Sequence, residues 1–145
     1  MTAKDMTALV GAAILATACG CSHTAVRYSA VNNYFVRNDA PADIPATYTS
    51  QAAFDSIFGA AAFMGKGGRP TTIDWSRQMA IAKVLPETDT PTTIEVRSIQ
   101  AGADSTLHVT YDIHRAPAPA SYTMRPCTVV TIDRRYSGYR LQEGR

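Results

Sequence analysis

A lysine set among glycines, two histidines on one alternating segment and a cysteine after a proline are the residues here whose types suit chemistry. Their spacing does not support it. A phosphate-binding loop needs four residues between its first glycine and the Gly-Lys pair, then Ser or Thr to hold magnesium. Gly59 and Gly65-Lys66 enclose five residues and Gly67 follows the lysine, so this segment reads as a turn. His108 and His114 share one face of an alternating stretch. Six residues of strand separate them by about 20 Å, too far to share one ion, and His108 from Asp112 by about 13 Å.

Cys127 follows Pro126 in an apolar run, which predicts a small, partly buried hydrophobe instead of a nucleophile. The chain holds no G-x-S-x-G elbow, no CxxC and no metal-ligand spacing. The carboxylates Asp74, Glu87, Asp89 and Asp112 are not paired by anything in the sequence. The reading is of a protein that is not an enzyme, with no catalytic residues, no metal and no cofactor. The formal charge is +2, and Arg134-Arg135 is the longest run of like charge among the basic residues, so the basic stripe that nucleic acid requires is missing.

The N-terminus carries a different chemistry. Met1 to Met6 is polar and includes Lys4 and Asp5; Thr7 to Ala18 is an apolar run too short to span a bilayer. Leu15-Ala16-Thr17-Ala18-Cys19 resembles a bacterial lipobox, with Leu15 four residues before the cysteine where three is usual. The expectation is a signal peptide over 1–18 and a lipid on Cys19. Cys21 is a second candidate for the lipid, and an ordinary cleaved leader with a soluble product is the alternative. With Cys19 lipidated, Cys21 and Cys127 remain in an oxidising compartment, where a bridge is open; the reading favours none.

The elements that would position any site follow. Residues 19–31 read as a lipidated tether containing His23, and 32–145 as one β-rich domain, which is all that 145 residues allow. Tyr34-Phe35-Val36 is a short strand, and Pro41 and Pro45 exclude regular structure over 40–46. Thr49 or Ser50 caps a helix with Phe54, Ile57, Phe58 and Ala61 on one face, ending between Gly59 and Phe63. Met79 to Leu85 is apolar at nearly every position, which suits a strand covered on both sides. After the Pro86–Thr93 loop, Ile94, Val96 and Ser98 alternate with Glu95 and Arg97. After a turn at Gly102–Asp104, Leu107, Val109, Tyr111 and Ile113 alternate with His108, Thr110, Asp112 and His114. Pro117 and Pro119 end that strand. Tyr122 to Asp133, bent at Pro126 with Val130 and Ile132 inward, and Tyr139-Arg140-Leu141 complete an α+β domain. Its expected core is an antiparallel curled sheet of about six strands, a small barrel or sandwich, with one helix packed on it.

Five stretches recur in a familiar order. They are Phe54-Asp55-Ser56-Ile57-Phe58, Pro70-Thr71-Thr72-Ile73-Asp74-Trp75-Ser76, the strand Met79 to Leu85, Leu107-His108-Val109, and Arg125-Pro126-Cys127-Thr128-Val129-Val130-Thr131-Ile132-Asp133. Over Phe54–Arg135 the chain resembles small Bacteroidetes lipoproteins that are similar to the C-terminal domain of the protease-complex subunit PrcB. It departs from them after the apolar strand, where Pro86-Glu87-Thr88-Asp89-Thr90-Pro91 replaces a Gly-Gly turn. The resemblance implies association with peptidases, as a complex subunit or an inhibitor.

Function then falls to the loops, where a rigid sheet puts its contacts. Residues 64–72 and 86–93 carry Met64, Lys66, Arg69, Glu87 and Asp89, and Pro70 and Pro91 stiffen them. Gly67, Gly68, Arg69, Pro70, Glu87, Asp89 and Pro91 are the candidate partner-binding residues. The expectation is an envelope lipoprotein, lipid-anchored in the outer membrane, that binds a protein partner such as a secreted peptidase. The alternative is a structural or assembly lipoprotein with no inhibitory action.

Overall fold

A computed structural model of the chain describes residues 22–144. The expected leader, the Cys19 anchor and Cys21 lie outside the described residues. Strands β1 (His23–Ala25), β2 (Ser29–Val31), β3 (Tyr34–Val36) and β4 (Thr47–Tyr48) precede helix α1 (Gln51–Asp55). Then come β5 (Phe58–Ala60), β6 (Gln78–Val84), β7 (Thr92–Gly102), β8 (Thr106–Arg115) and β9 (Cys127–Asp133), followed by a 3-10 turn (Arg134–Tyr136) and β10 (Arg140–Glu143).

The chain is mostly β, with one small helix and antiparallel sheets. Two four-stranded sheets, ordered β1-β7-β8-β10 and β2-β9-β6-β4, stand with a two-stranded β3-β5 ribbon. Ten strands among the described residues replace the expected six or so, and they do not form one curled sheet or close into a barrel. β10 also corrects the expectation, because it runs parallel to β8 (Arg140 opposite Thr106, Leu141 opposite Leu107).

The tether expectation fails from His23 onward. Residues 23–31 are strands of the domain: His23 lies opposite Gly102 and Ala25 opposite Gln100, then Ser29 opposite Thr131 and Val31 opposite Val129. Val26 and Val31 are buried, which draws this segment in. Its other side chains are exposed, so the sequence pattern looked like a spacer.

β6 is covered on both faces, as its apolar run predicts. Met79 and Ile81 pack with Val130 and Ile132 of β9 and, across the sandwich, with Ile99, Leu107 and Val109 of β7 and β8. Ala80, Ala82 and Val129 point the opposite way, toward Tyr48, Phe54, Ile57 and Phe58. The Lys83 ammonium also meets the Glu143 carboxylate at 2.7 Å, latching β6 to β10 of the facing sheet.

Two expected elements come out shorter. The Ser50 hydroxyl caps α1 by accepting from the Ala53 N–H at 3.3 Å, but the helix ends at Asp55. Phe58 instead pairs with Val36, and the Arg37 N–H donates to the Ile57 carbonyl at 2.8 Å. Antiparallel pairing to β3 thus takes the residues that helical spacing had claimed. β9 starts at Cys127, because Pro126 cannot donate to a ladder. Met124 before it makes only an isolated bridge to Thr88.

β7 contains a bulge. Its register shifts between Val96 and Ser98, which leaves Arg97 as an extra residue. The inward positions move from Ile94 and Val96 to Ile99 and Ala101, so Ser98 does not continue the buried face. Among the described residues, no helix is long and apolar enough to cross a membrane.

The aromatic cluster tests this packing. Phe54 is fully buried and touches Phe58, Tyr34 and Tyr48, with ring centroids 4.8, 5.1 and 5.7 Å away. Phe54→Ala is expected to lose about 3–5 kcal/mol in urea unfolding. Tyr48 is 2% exposed, and its hydroxyl has no hydrogen-bond partner among the described residues. Burial pushes that hydroxyl up to about 12. Tyr48→Phe removes an unsatisfied polar group and is expected to raise the urea midpoint, by about 1 kcal/mol in stability.

Candidate functional site

A cleft of about 820 Å3 opens where three chain segments meet. β3 and the residues after it (Tyr34, Phe35, Arg37) form one wall, and the start of β7 (Thr92, Thr93, Ile94) forms another. Glu87, Met124, Arg125 and Cys127 complete it. A second cleft of about 560 Å3, with Ile44, Ala46, Leu85 and Pro86 in its lining, shares Glu87 and Arg125 with the first.

The charges around the cleft differ in their commitments. Arg37 is engaged: its Nε and Nη2 donate to the two carboxylate oxygens of Asp39 at 2.9 and 3.1 Å. That guanidinium holds the Asp39 carboxyl below its usual range. Arg125 is half-buried, and its hydrogen bond is a long one, 3.4 Å from Nη2 to the Pro41 carbonyl. Burial pushes the Cys127 thiol up, and the Val36 N–H, which donates to the sulfur, draws it part of the way back. A thiol so placed stays protonated at neutral pH and is a poor nucleophile.

The first candidate loop is pinned from the β2–β3 junction. Asn33 occupies the left-handed region at φ 65°. Its Nδ2 donates to the carbonyls of Gly67 and Arg69 at 2.7 and 2.8 Å. Next to it, the Asn32 N–H donates to Thr71 Oγ1 and the Tyr34 hydroxyl to the Thr71 carbonyl. Gly67 needs its positive φ of 77°, and a Cβ on Gly68 would fall 1.9 Å from the Phe63 carbonyl oxygen. The glycines therefore serve a tight, fixed loop. At its tip Met64 is fully exposed and Phe63 is 57% exposed, while Arg69 is exposed and Pro70 half-buried.

The second candidate loop is stitched to residues 116–126. Thr88 and Met124 exchange backbone hydrogen bonds at 2.9 and 2.8 Å; the Ala120 N–H donates to the Asp89 carbonyl, and the Ala116 N–H to that of Pro91. Of the candidate residues, Glu87 lines the cleft; Gly67, Gly68, Arg69, Pro70, Asp89 and Pro91 lie outside its lining. Tyr34 joins the two regions, since it walls the cleft while its hydroxyl holds the first loop.

Of the candidate carboxylates, Asp74 and Asp112 are held by different partners. Asp74 accepts from Ser76, whose hydroxyl and N–H hold it below its usual pKa. Asp112 pairs with Arg97 of the bulge. Among the described residues, no three His, Cys, Asp or Glu side chains are grouped to hold a metal ion. His23, expected in a spacer, stands edge-on to His108 with ring centroids 5.0 Å apart.

Arg125 and the strand edges at the cleft were missed from the sequence. A faint signal existed, because no acidic residue occurs between Asp112 and Asp133 to pair with Arg125 locally. No family model, curated protein or solved structure matches the chain.

Two outcomes follow from this geometry. Asn33→Gly keeps the positive φ but removes both loop hydrogen bonds, so trypsin cleavage after Lys66 is expected to speed up about tenfold. In the fragment Ser22–Arg145, where Cys127 is the lone cysteine, iodoacetamide at pH 8 is expected to react about tenfold or more slowly than with the urea-unfolded chain. Raising the pH should speed the folded reaction, because the raised thiol pKa leaves little thiolate at pH 8.

Proposed function

We propose that this chain is an exported lipoprotein of the bacterial cell envelope, anchored at Cys19, whose β domain binds another protein through the end farthest from the anchor. The observation carrying this reading is the path of residues 23–31. The segment leaves Gly102 of the first sheet, passes Ile99 and the Val96 carbonyl, crosses to the second sheet and reaches Val129. Extended chain of that length covers up to roughly 26 Å. Both pinned loops and the cleft gather where it arrives, with Cys127 and Thr92 on the cleft wall. Cys19 is four residues from His23, so a lipid there is held within about 14 Å of the opposite end.

Several features support contact with a protein. Phe63 and Met64 are large apolar side chains held out to solvent on a fixed loop, beside Lys66 and Arg69. Apolar and arginine anchors carried on a loop whose backbone is already held have less backbone entropy left to lose on binding. The peptidase association implied by the sequence resemblance makes a co-secreted peptidase the first partner to test. A loop pinned this firmly could sit in such an enzyme's cleft as an inhibitor.

Labelled palmitate should enter the full-length protein and be lost in Cys19→Ser. The domain used as bait on the envelope and secreted fractions should capture a protein in stoichiometric amount, and Phe63→Ala with Met64→Ala should cut that capture about tenfold or more. Capture indifferent to the double substitution would reject the loop as the contact. If the captured protein is a peptidase, activity should fall with dose; undiminished activity would leave binding without inhibition.

A further inference from the structure

We infer that the cleft between β3 and the start of β7 takes an extended segment of a partner protein as an added strand, with one Asp or Glu side chain of that segment seated on Arg125. The inference rests on the protein-binding reading of this end of the molecule and names the chemistry the partner must offer.

The cleft lies between two strand edges that no neighbouring strand covers among the described residues. β7 is paired with β8 along its length, but β1 covers its other edge only at residues 100–102. The direction of the backbone groups on that open stretch follows from the ladder. The Pro91 carbonyl accepts from Ala116 on the β8 side, whereas the Val96 carbonyl points away and accepts from the Tyr28 hydroxyl at 3.1 Å. Alternation along an antiparallel ladder then turns the N–H and C=O of Thr92 and Ile94 away from β8, toward the cleft side.

β3 presents the opposing edge. The Ala61 N–H donates to the Asn33 carbonyl and the Arg37 N–H to the Ile57 carbonyl, so residues 33, 35 and 37 bond toward β5. Tyr34 and Val36 therefore turn their backbone groups the other way. The Val36 N–H faces the half-buried Cys127 thiol there, which is a weak acceptor. Unpaired strand edges of this kind are templates for strand addition: main-chain hydrogen bonds give affinity, and flanking pockets read alternate side chains. The walls, Tyr34, Val36, Thr92, Thr93 and Ile94, are uncharged, and the volume of about 820 Å3 lies within the range of small-ligand clefts.

Arg125 sets the charge of the guest. It is half-buried, makes no ion pair among the described residues, and holds one long hydrogen bond to a carbonyl. A guanidinium fork with most of its donors free is matched by a carboxylate. Arg125 and Glu87 line both clefts, so a segment crossing them continues into the second. That continuity favours a side-chain carboxylate in mid-segment over a chain terminus, and Glu87 disfavours a second acid beside the first.

The test uses the 15N-labelled full-length chain in detergent micelles and the peptide acetyl-Val-Thr-Glu-Val-Thr-amide as probe. Amide shifts are expected at Tyr34, Thr92 and Ile94, with the Gln counterpart binding about tenfold more weakly. Arg125→Gln should erase that difference and leave the rest of the spectrum in place, and N-methylation at alternate probe residues should abolish binding. Equal binding of the Glu and Gln probes, shifts confined to other surfaces, or no binding at millimolar probe would each overturn the inference. Tighter binding of acetyl-Val-Thr-Val-Thr with a free carboxylate end would overturn the mid-segment assignment. Partner capture that survives Arg125→Gln unchanged would overturn this inference while leaving the protein-binding reading standing; loss of all capture by wild type would take both away.

Discussion

The pair β6–β9 has to bury both of its faces at once, and the other elements are arranged around that requirement. Met79, Ile81, Val130 and Ile132 demand apolar cover on one side, which β7 and β8 provide through Ile99, Leu107 and Val109. Ala80, Ala82 and Val129 demand it on the other, where Tyr48, Phe54 and Phe58 lie. The small alanines on this second face admit large rings against the sheet; Phe54 and Phe58 stack on each other and Tyr48 packs edge to face on both. A sheet buried on one face alone would leave no reason for the β3–β5 ribbon to fold over it. Because the ribbon does fold over, β3 is brought up beside the start of β7, and the cleft exists in the gap.

What could be read in the sequence depended on how local each cause was. Met79 to Leu85 was legible because a run without polar positions has one common explanation, cover on both sides. Leu107, Val109 and Tyr111 were legible by alternation, although Ile113 is 41% exposed, at the far end of the strand from the buried Leu107 and Val109. Ser98 misled because Arg97 is an inserted residue, and one inserted residue reverses every later position. Ile57 and Phe58 misled because three-and-four spacing cannot tell a helical face from a helix that stops early and becomes a strand. His23–Val31 reads as a spacer because edge strands keep few buried side chains.

The candidate site divides in the same manner. Its loops were legible by composition, since glycine and proline mark turns whatever else happens. Their rigidity was not, because it comes from Asn33, more than thirty residues before Gly67 and Arg69. Arg125 and the open edges of β3 and β7 belong to three segments that only the topology brings together. No window of sequence contains them jointly. The candidate site is thus a product of long-range order, resting on side chains that look ordinary one at a time.

The first and last strands of the domain take the two outer edges of one sheet, β1 against β7 and β10 against β8. The β7–β8 hairpin can form as soon as it is made, but the sheet is completed only when the final residues are available. β10 joins as a parallel strand after the chain has visited the other sheet as β9. Contacts that close such large loops form slowly, because their entropy is lost before any stabilisation arrives. Were the chain to cross a membrane unfolded, as proposed above, such slowness would be an asset, because the first sheet could not be completed before β10 had followed the rest of the domain across.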